Sequence, residues 1–127
     1  MAIISPQNET LLFWLPAANF NSTADQALTP MLNFASYLVT RIRIVDASIS
    51  LTTAAGGFYT GASKGGVTVV AAGQTYSALT GPTLGMDATI SAAGMDRLVA
   101  STMYLSLTTA QGSAATAGVY VIGIPLT

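Results

Sequence analysis

The chain contains no cysteine and no histidine. The first absence excludes a disulfide framework, thiolate metal sites and cysteine nucleophiles. The second removes the commonest metal ligand and the commonest general base. Charge is also scarce: 7% of residues are Asp, Glu, Lys or Arg, against about 25% in an ordinary soluble domain. The acids are Glu9, Asp25, Asp46, Asp87 and Asp96, and the bases are Arg41, Arg43, Lys64 and Arg97, for a net charge of −1. Nothing in that balance draws the chain to nucleic acid or to an anionic membrane. Long apolar runs are missing too. Leu11–Ala18 is broken by Pro16 and is too short to cross a bilayer. The opening MAIISPQNET has no basic region, so a signal peptide is not expected, and the sequons at Asn8 and Asn21 carry no weight without a secretory route.

Thr, Ser, Ala and Gly stand where charges would normally sit. A surface built this way is polar but nearly neutral, and such surfaces tend to associate. The composition therefore reads either as a surface covered by neighbours or as a Thr-rich, thermally tough or secreted β domain. The length fits one domain with a real core.

Helix signals are poor, because Gly and β-branched residues are frequent and apolar residues mostly alternate. In STMYLSLTT, Met103, Leu105 and Leu107 point one way and Thr102, Tyr104, Ser106 and Thr108 the other, which describes a half-buried strand. In GVYVIGIP, Val119 and Val121 oppose Tyr120, Ile122 and Ile124, and Pro125 is expected to end the strand. The small residues of AQGSAATA between them read as a hairpin loop. In YLVTRIRIVDASISL the apolar parity changes, from Leu38, Ile42 and Ile44 to Val45, Ala47, Ile49 and Leu51. That change predicts a bulge, or a strand passing between sheets, near Ile44–Asp46. Further strands are expected at TLGMDATI and QTYSAL, a short edge strand at ADQALTP, and one helical turn in SAAGMDRLVA. The near-repeat of SLTTAAGG at Ser50 and SLTTAQGS at Ser106 suits two hairpins sharing turn chemistry, by duplication or, more simply, by convergence.

The expected fold is all-β: an antiparallel β-sandwich or jelly roll of about eight short strands. Residues 1–23 read as an N-terminal arm or edge segment and residues 24–127 as the sandwich domain. The run LLFWLP suits a core strand or, alternatively, an arm docking on another subunit with Phe13 and Trp14 as contacts.

No catalytic constellation is visible. The acids are scattered, no window supplies a calcium loop, and no cofactor is expected. Gly56–Gly66 looks like a phosphate loop at a glance but lacks the Gly-Lys-Ser/Thr ending, so it reads as a long flexible hairpin connection with Lys64 at its tip. Arg41 and Arg43 share one strand face and suit a neighbouring carboxylate, or a solvated face with weak ion pairs. Phe58 and Tyr59 join Phe13, Trp14, Arg41, Arg43 and Lys64 as candidate interface residues.

The stretches FNSTADQALT, ASYLVTRIRIVDASISLTTAAGGFYTGASKGG, QTYSALTG and TMYLSLTTAQGSAATAGVYVIG, together covering most of Phe20–Gly123, resemble a family of small virion structural proteins of tailed bacteriophages and prophages of proteobacteria. The chain departs from that family at Gly118, where an acidic residue is expected, and in ending GIPLT in place of an acidic tail. The resemblance implies a non-enzymatic virion structural component, and with the sparse charge the expected role is that of a capsid decoration (cement) protein. Such a protein would assemble in the host cytoplasm, sit on the virion surface as a homotrimer, and bind the major capsid protein. It would bind neither nucleic acid nor membrane. The alternative is a receptor- or glycan-binding domain of a tail or head fibre, using Trp14, Tyr59 and Tyr76.

Overall fold

The computed structural model describes residues 9–126. A five-stranded sheet is built from β1 (Thr10–Asn19), β3 (Thr29–Pro30), β4 (Ser36–Val45), β7 (Gly85–Asp87) and β9 (Thr116–Leu126), in the order β3-β1-β9-β4-β7. A four-stranded sheet contains β2 (Gln26–Ala27), β5 (Ala55–Gly61), β6 (Gly65–Val70) and β8 (Tyr104–Thr109), in the order β2-β8-β5-β6. All the pairings are antiparallel. The one helical element among the described residues is a 3-10 turn at Ala93–Met95, within the segment where a helical turn was expected. Ile42, Ile44, Val119 and Val121 of the first sheet share a single core with Phe58, Val69, Leu105 and Leu107 of the second. Each such side chain, fully buried, contributes about 1.5–3 kcal/mol. The fold is thus an all-β, two-sheet antiparallel sandwich.

The two-faced alternation of β8 and β9 is as the sequence predicts, and the structure shows which face of β9 is inward. Met103, Leu105 and Leu107 are fully buried, as are Val119 and Val121, while Tyr120, Ile122 and Ile124 are half-buried on the opposite face. Pro125 does not end β9, which runs on to Leu126. Among the described residues β1 pairs with β9 as far as Gly123, and Pro125 lies opposite Tyr37 of β4, so its ring is accommodated within the ladder's last residues.

The run LLFWLP is a core strand, flanked by β3 and β9. A register shift between Leu11 and Phe13 turns both Leu12 and Phe13 inward. The described part of the expected arm is therefore integral to the sheet, and residues 1–8 lie outside the described residues. ADQALTP supplies β2 and β3, one short edge strand for each sheet.

The connections differ more from expectation. β8 and β9 do not form a hairpin, because they belong to different sheets and the AQGSAATA segment crosses the sandwich. The small residues there suit a crossing as well as a turn. β4 ends at Val45, Asp46 adopts φ +57, and the chain passes to β5 in the other sheet, the second of the two alternatives that the parity change allowed. Ile49 is 38% exposed and does not join the inward set. The two SLTTA phrases are neighbours in space and not two hairpins. Gln111 accepts hydrogen bonds from Thr53 N and Ala54 N at 2.9 and 3.0 Å, and Ala55 pairs with Thr109. QTYSAL contributes one isolated bridge at Thr75 instead of a strand, and TLGMDATI contracts to the three residues of β7, leaving Leu84 exposed.

Tyr37 is fully buried, and its hydroxyl has no hydrogen-bond partner among the described residues. Burial pushes its pKa up to about 12. An unpaired buried hydroxyl costs about 1–3 kcal/mol. Tyr37→Phe is therefore expected to raise stability by about 1 kcal/mol or more, read as a melting temperature a few degrees higher. Tyr76 gives the opposite case: its hydroxyl donates to the Gly56 carbonyl at 2.8 Å, so Tyr76→Phe is expected to lower the melting temperature.

Candidate functional site

The register of the five-stranded sheet assembles a surface on its outer side. Thr29 lies opposite Trp14, Trp14 opposite Tyr120, Tyr120 opposite Arg43 and Arg43 opposite Asp87. Directly opposed residues share a face, so these five form one row running across all five strands. A second row holds Leu11, Ile122 and Arg41, and a third pairs Ile124 with Leu38. The bulge in β4 between Val39 and Arg41 keeps Arg41 and Arg43 on this side, with Thr40 donating to the Ile122 carbonyl at 3.1 Å.

Two glycines shape the row. Gly118 leaves room for the Tyr120 ring, which a Cβ there would meet at 3.2 Å. Gly85 does the same for the Arg43 guanidinium, at 2.9 Å. Arg43 Nη1 lies 3.1 Å from Asp87 Oδ1, and Arg41 Nε lies 3.6 Å from Asp87 Oδ2. These side chains are 41–52% exposed, so each pair contributes about 1 kcal/mol at most. The two guanidiniums and one carboxylate leave the first two rows together with one net positive charge.

The structure separates the residues singled out from sequence. Trp14, Arg41 and Arg43 come together on the outer sheet face. Phe13 and Phe58 are fully buried and Tyr59 is 4% exposed, so none of the three offers a contact surface. Phe13 and Phe58 point into the sandwich, whereas Tyr59, paired with Tyr104, is covered on the opposite face of β5. Tyr120, Ile122 and Asp87 complete the surface but were not selected from sequence. The alternation in GVYVIGIP already set Tyr120 and Ile122 apart from the core valines, yet nothing local shows that β9 lies between β1 and β4.

Lys64 is not a free tip. β5 runs through most of the expected flexible loop, and the turn is four residues long, with Gly65 N donating to Ala62 O at 3.0 Å. Ser63 and Lys64 occupy the turn's centre at φ +56 and +58, the geometry of a type I′ turn. Left-handed backbone costs a non-glycine residue about 1–2 kcal/mol. Three contacts offset that strain. Asp25 Oδ2 accepts from Ser63 N at 2.6 Å, Lys64 Nζ donates to Ser106 Oγ at 3.0 Å, and Ser106 Oγ donates to Asp25 Oδ1 at 2.8 Å.

A serine between an amine and a carboxylate resembles nucleophilic machinery, but here the amine donates to the hydroxyl and Ser106 is fully buried. A base would have to accept that proton, and an electrophile would have to reach the oxygen. The arrangement instead locks a turn. The Ser63 N–H, then the Ser106 hydroxyl and Lys64, hold the Asp25 carboxyl below the usual carboxylate range. A depressed folded-state pKa gives stability that is present above the unfolded value of about 3.9 and lost as pH falls through the folded one. Melting temperature measured from pH 6 to pH 2 should therefore fall further for the native chain than for Asp25→Asn; identical acid limbs would show that this carboxylate carries no linkage.

No family model, curated protein or solved structure matches this chain. The resemblance to virion proteins thus rests on the quoted motifs, and the function on the surface itself.

Proposed function

We propose that the protein is a structural component that acts by being covered, without catalysis. The observation that supports this most is the sparseness of charge: nine ionisable Asp, Glu, Lys and Arg side chains are spread over 6282 Å² of surface, about one per 700 Å². A standard contact takes about 800 Å² from each partner. On this surface such a contact buries on average a single charge, so the desolvation that normally opposes association is small.

With the motif resemblance, the specific reading is a decoration protein on the outside of a tailed-phage head. It would bridge adjacent major capsid protein subunits against internal DNA pressure as a small homo-oligomer, expected to be a trimer at three-fold sites. The test is co-sedimentation with shells assembled from the major capsid protein of a tailed proteobacterial phage. Saturable binding, with a fixed number of copies per capsomer and a raised shell melting temperature, is the expected result. Shells that stay bare at micromolar protein would remove the capsid reading.

A glycan-binding fibre domain remains as a second reading because Trp14 and Tyr120 share an open face beside the Arg43–Asp87 pair. Tyr59 and Tyr76 no longer serve it, since both are buried. Glycan-array signal that disappears in Trp14→Ala would favour this reading over the first.

A further inference from the structure

We infer that the outer face of the five-stranded sheet pairs with the same face of a second copy, about a two-fold axis running along β9. This rests on the reading of the surface as one made to be covered, and not on which shell covers the remainder.

The order of residues across the sheet carries the inference. Thr29, Trp14, Tyr120, Arg43 and Asp87 lie at one height on β3, β1, β9, β4 and β7. A half-turn about an axis along the central strand keeps that height and reverses the order. Each Trp14 indole then lies over the Arg43 guanidinium of the second copy, an aromatic face against a cation. Thr29, a hydroxyl donor, faces Asp87, a carboxylate acceptor, and the two Tyr120 rings meet on the axis. The neighbouring row follows the same rule: Leu11 covers the aliphatic stem of Arg41, and Ile122 meets its own copy. The row is complementary to its own reversal, which is the condition for an isologous two-fold contact. A trimer ring needs two different patches, so this pairing departs from the trimer expected on the capsid reading.

Charge agrees, and the area suits a concentration-dependent pairing. Strands lie about 4.8 Å apart and rise about 3.3 Å per residue, so the 36 residues of β1, β3, β4, β7 and β9 present roughly 570 Å². Two such faces bury about 1,100 Å² together, the low end of specific interfaces. The positive charges stand on the β4 side of each copy, so the half-turn places the two pairs of arginines on opposite flanks of the axis. The centre is left to Tyr120 and Ile122.

The native mass of the intact chain, measured by light scattering from about 1 to 300 μM, tests the pairing directly. The expected result is a dimer near twice the 12.9 kDa chain mass. Tyr120→Glu sets two carboxylates against each other on the axis and should weaken the dimer at least about tenfold. Should that variant lose its cooperative melt, Arg43→Glu gives the same reading from an exposed position, with a glutamate beside Asp87 and under the indole. The swap Trp14→Arg with Arg43→Trp should restore pairing that either change alone removes. A monomer at 300 μM, a trimer, or a dimer unmoved by these variants would overturn the inference. Shell binding is scored separately: a two-fold dimer that ignores capsids sinks the capsid reading alone, and a capsid-binding monomer sinks the pairing alone.

Discussion

Phe13→Ala is expected to lower the unfolding free energy by about 3–5 kcal/mol. Domains of this kind hold about 5–15 kcal/mol in total, so the variant should be partly unfolded near physiological temperature. The side chain is fully buried and packs edge to face on Phe34 and Tyr37, with ring centroids 5.7 and 5.4 Å away. Truncation leaves a void that two other aromatic rings border, and rings relax poorly into such space. The next residue supplies the control. Trp14 is half-buried on the outer face, so Trp14→Ala should cost far less stability and act on association instead. Urea denaturation of both variants at low micromolar concentration separates the two. Equal losses would mean that β1 does not divide inside from outside between these neighbours.

Gly57→Ala is the second large effect, at about 3 kcal/mol or more. A Cβ at Gly57 would lie 2.0 Å from the Val70 carbonyl oxygen and 2.9 Å from that of Ala71. Both contacts are backbone, so no side-chain rotation relieves them, and β5 and β6 must separate or the strand must twist. Gly73 is the matching control. Nothing lies within 4 Å of a Cβ there, and its φ is not in the left-handed range, so Gly73→Ala should be neutral or slightly stabilising. Thermal melts of the two variants decide the matter. A tolerated Gly57→Ala would mean the sheet opens at this point without loss.

These two positions also show what was legible in advance. Alternation along β8 and β9 is a property of single strands: it put Leu105 and Leu107 on one face and separated Val119 and Val121 from Tyr120 and Ile122, but only the fold shows that the valines are the inward set. The change of parity near Val45 likewise marks a chain leaving one sheet for the other. Pairing is a property of two strands, and no local signal carries it. Small residues between Thr109 and Thr116 serve a tight turn or a crossing equally well. The glycines at 56 and 57 look like loop residues until β6 and β8 are seen to press on them from either side. The same limit applies to the candidate surface. Arg41 and Arg43 were visible as a pair, but the aromatic half of the row depends on β1 and β9 being neighbours. The Asp25–Ser63–Lys64–Ser106 lock joins residues from three separate parts of the chain, each unremarkable alone.

The position of β9 has a consequence for how the chain is made. It is the last of the described strands to be synthesised, yet it lies between β1 and β4 and carries the ladders of both. Thr10 must wait for Gly123 before its partner exists. Until then β1 and β4 have no strand between them, and their apolar residues are exposed on the nascent polypeptide. Such distant pairings are slow to close, and unpaired apolar strands are the species that aggregate. The five-stranded sheet therefore cannot close until β9 has been made, and a ribosome-stalled chain truncated before Thr116 should be protease-sensitive along its whole N-terminal half.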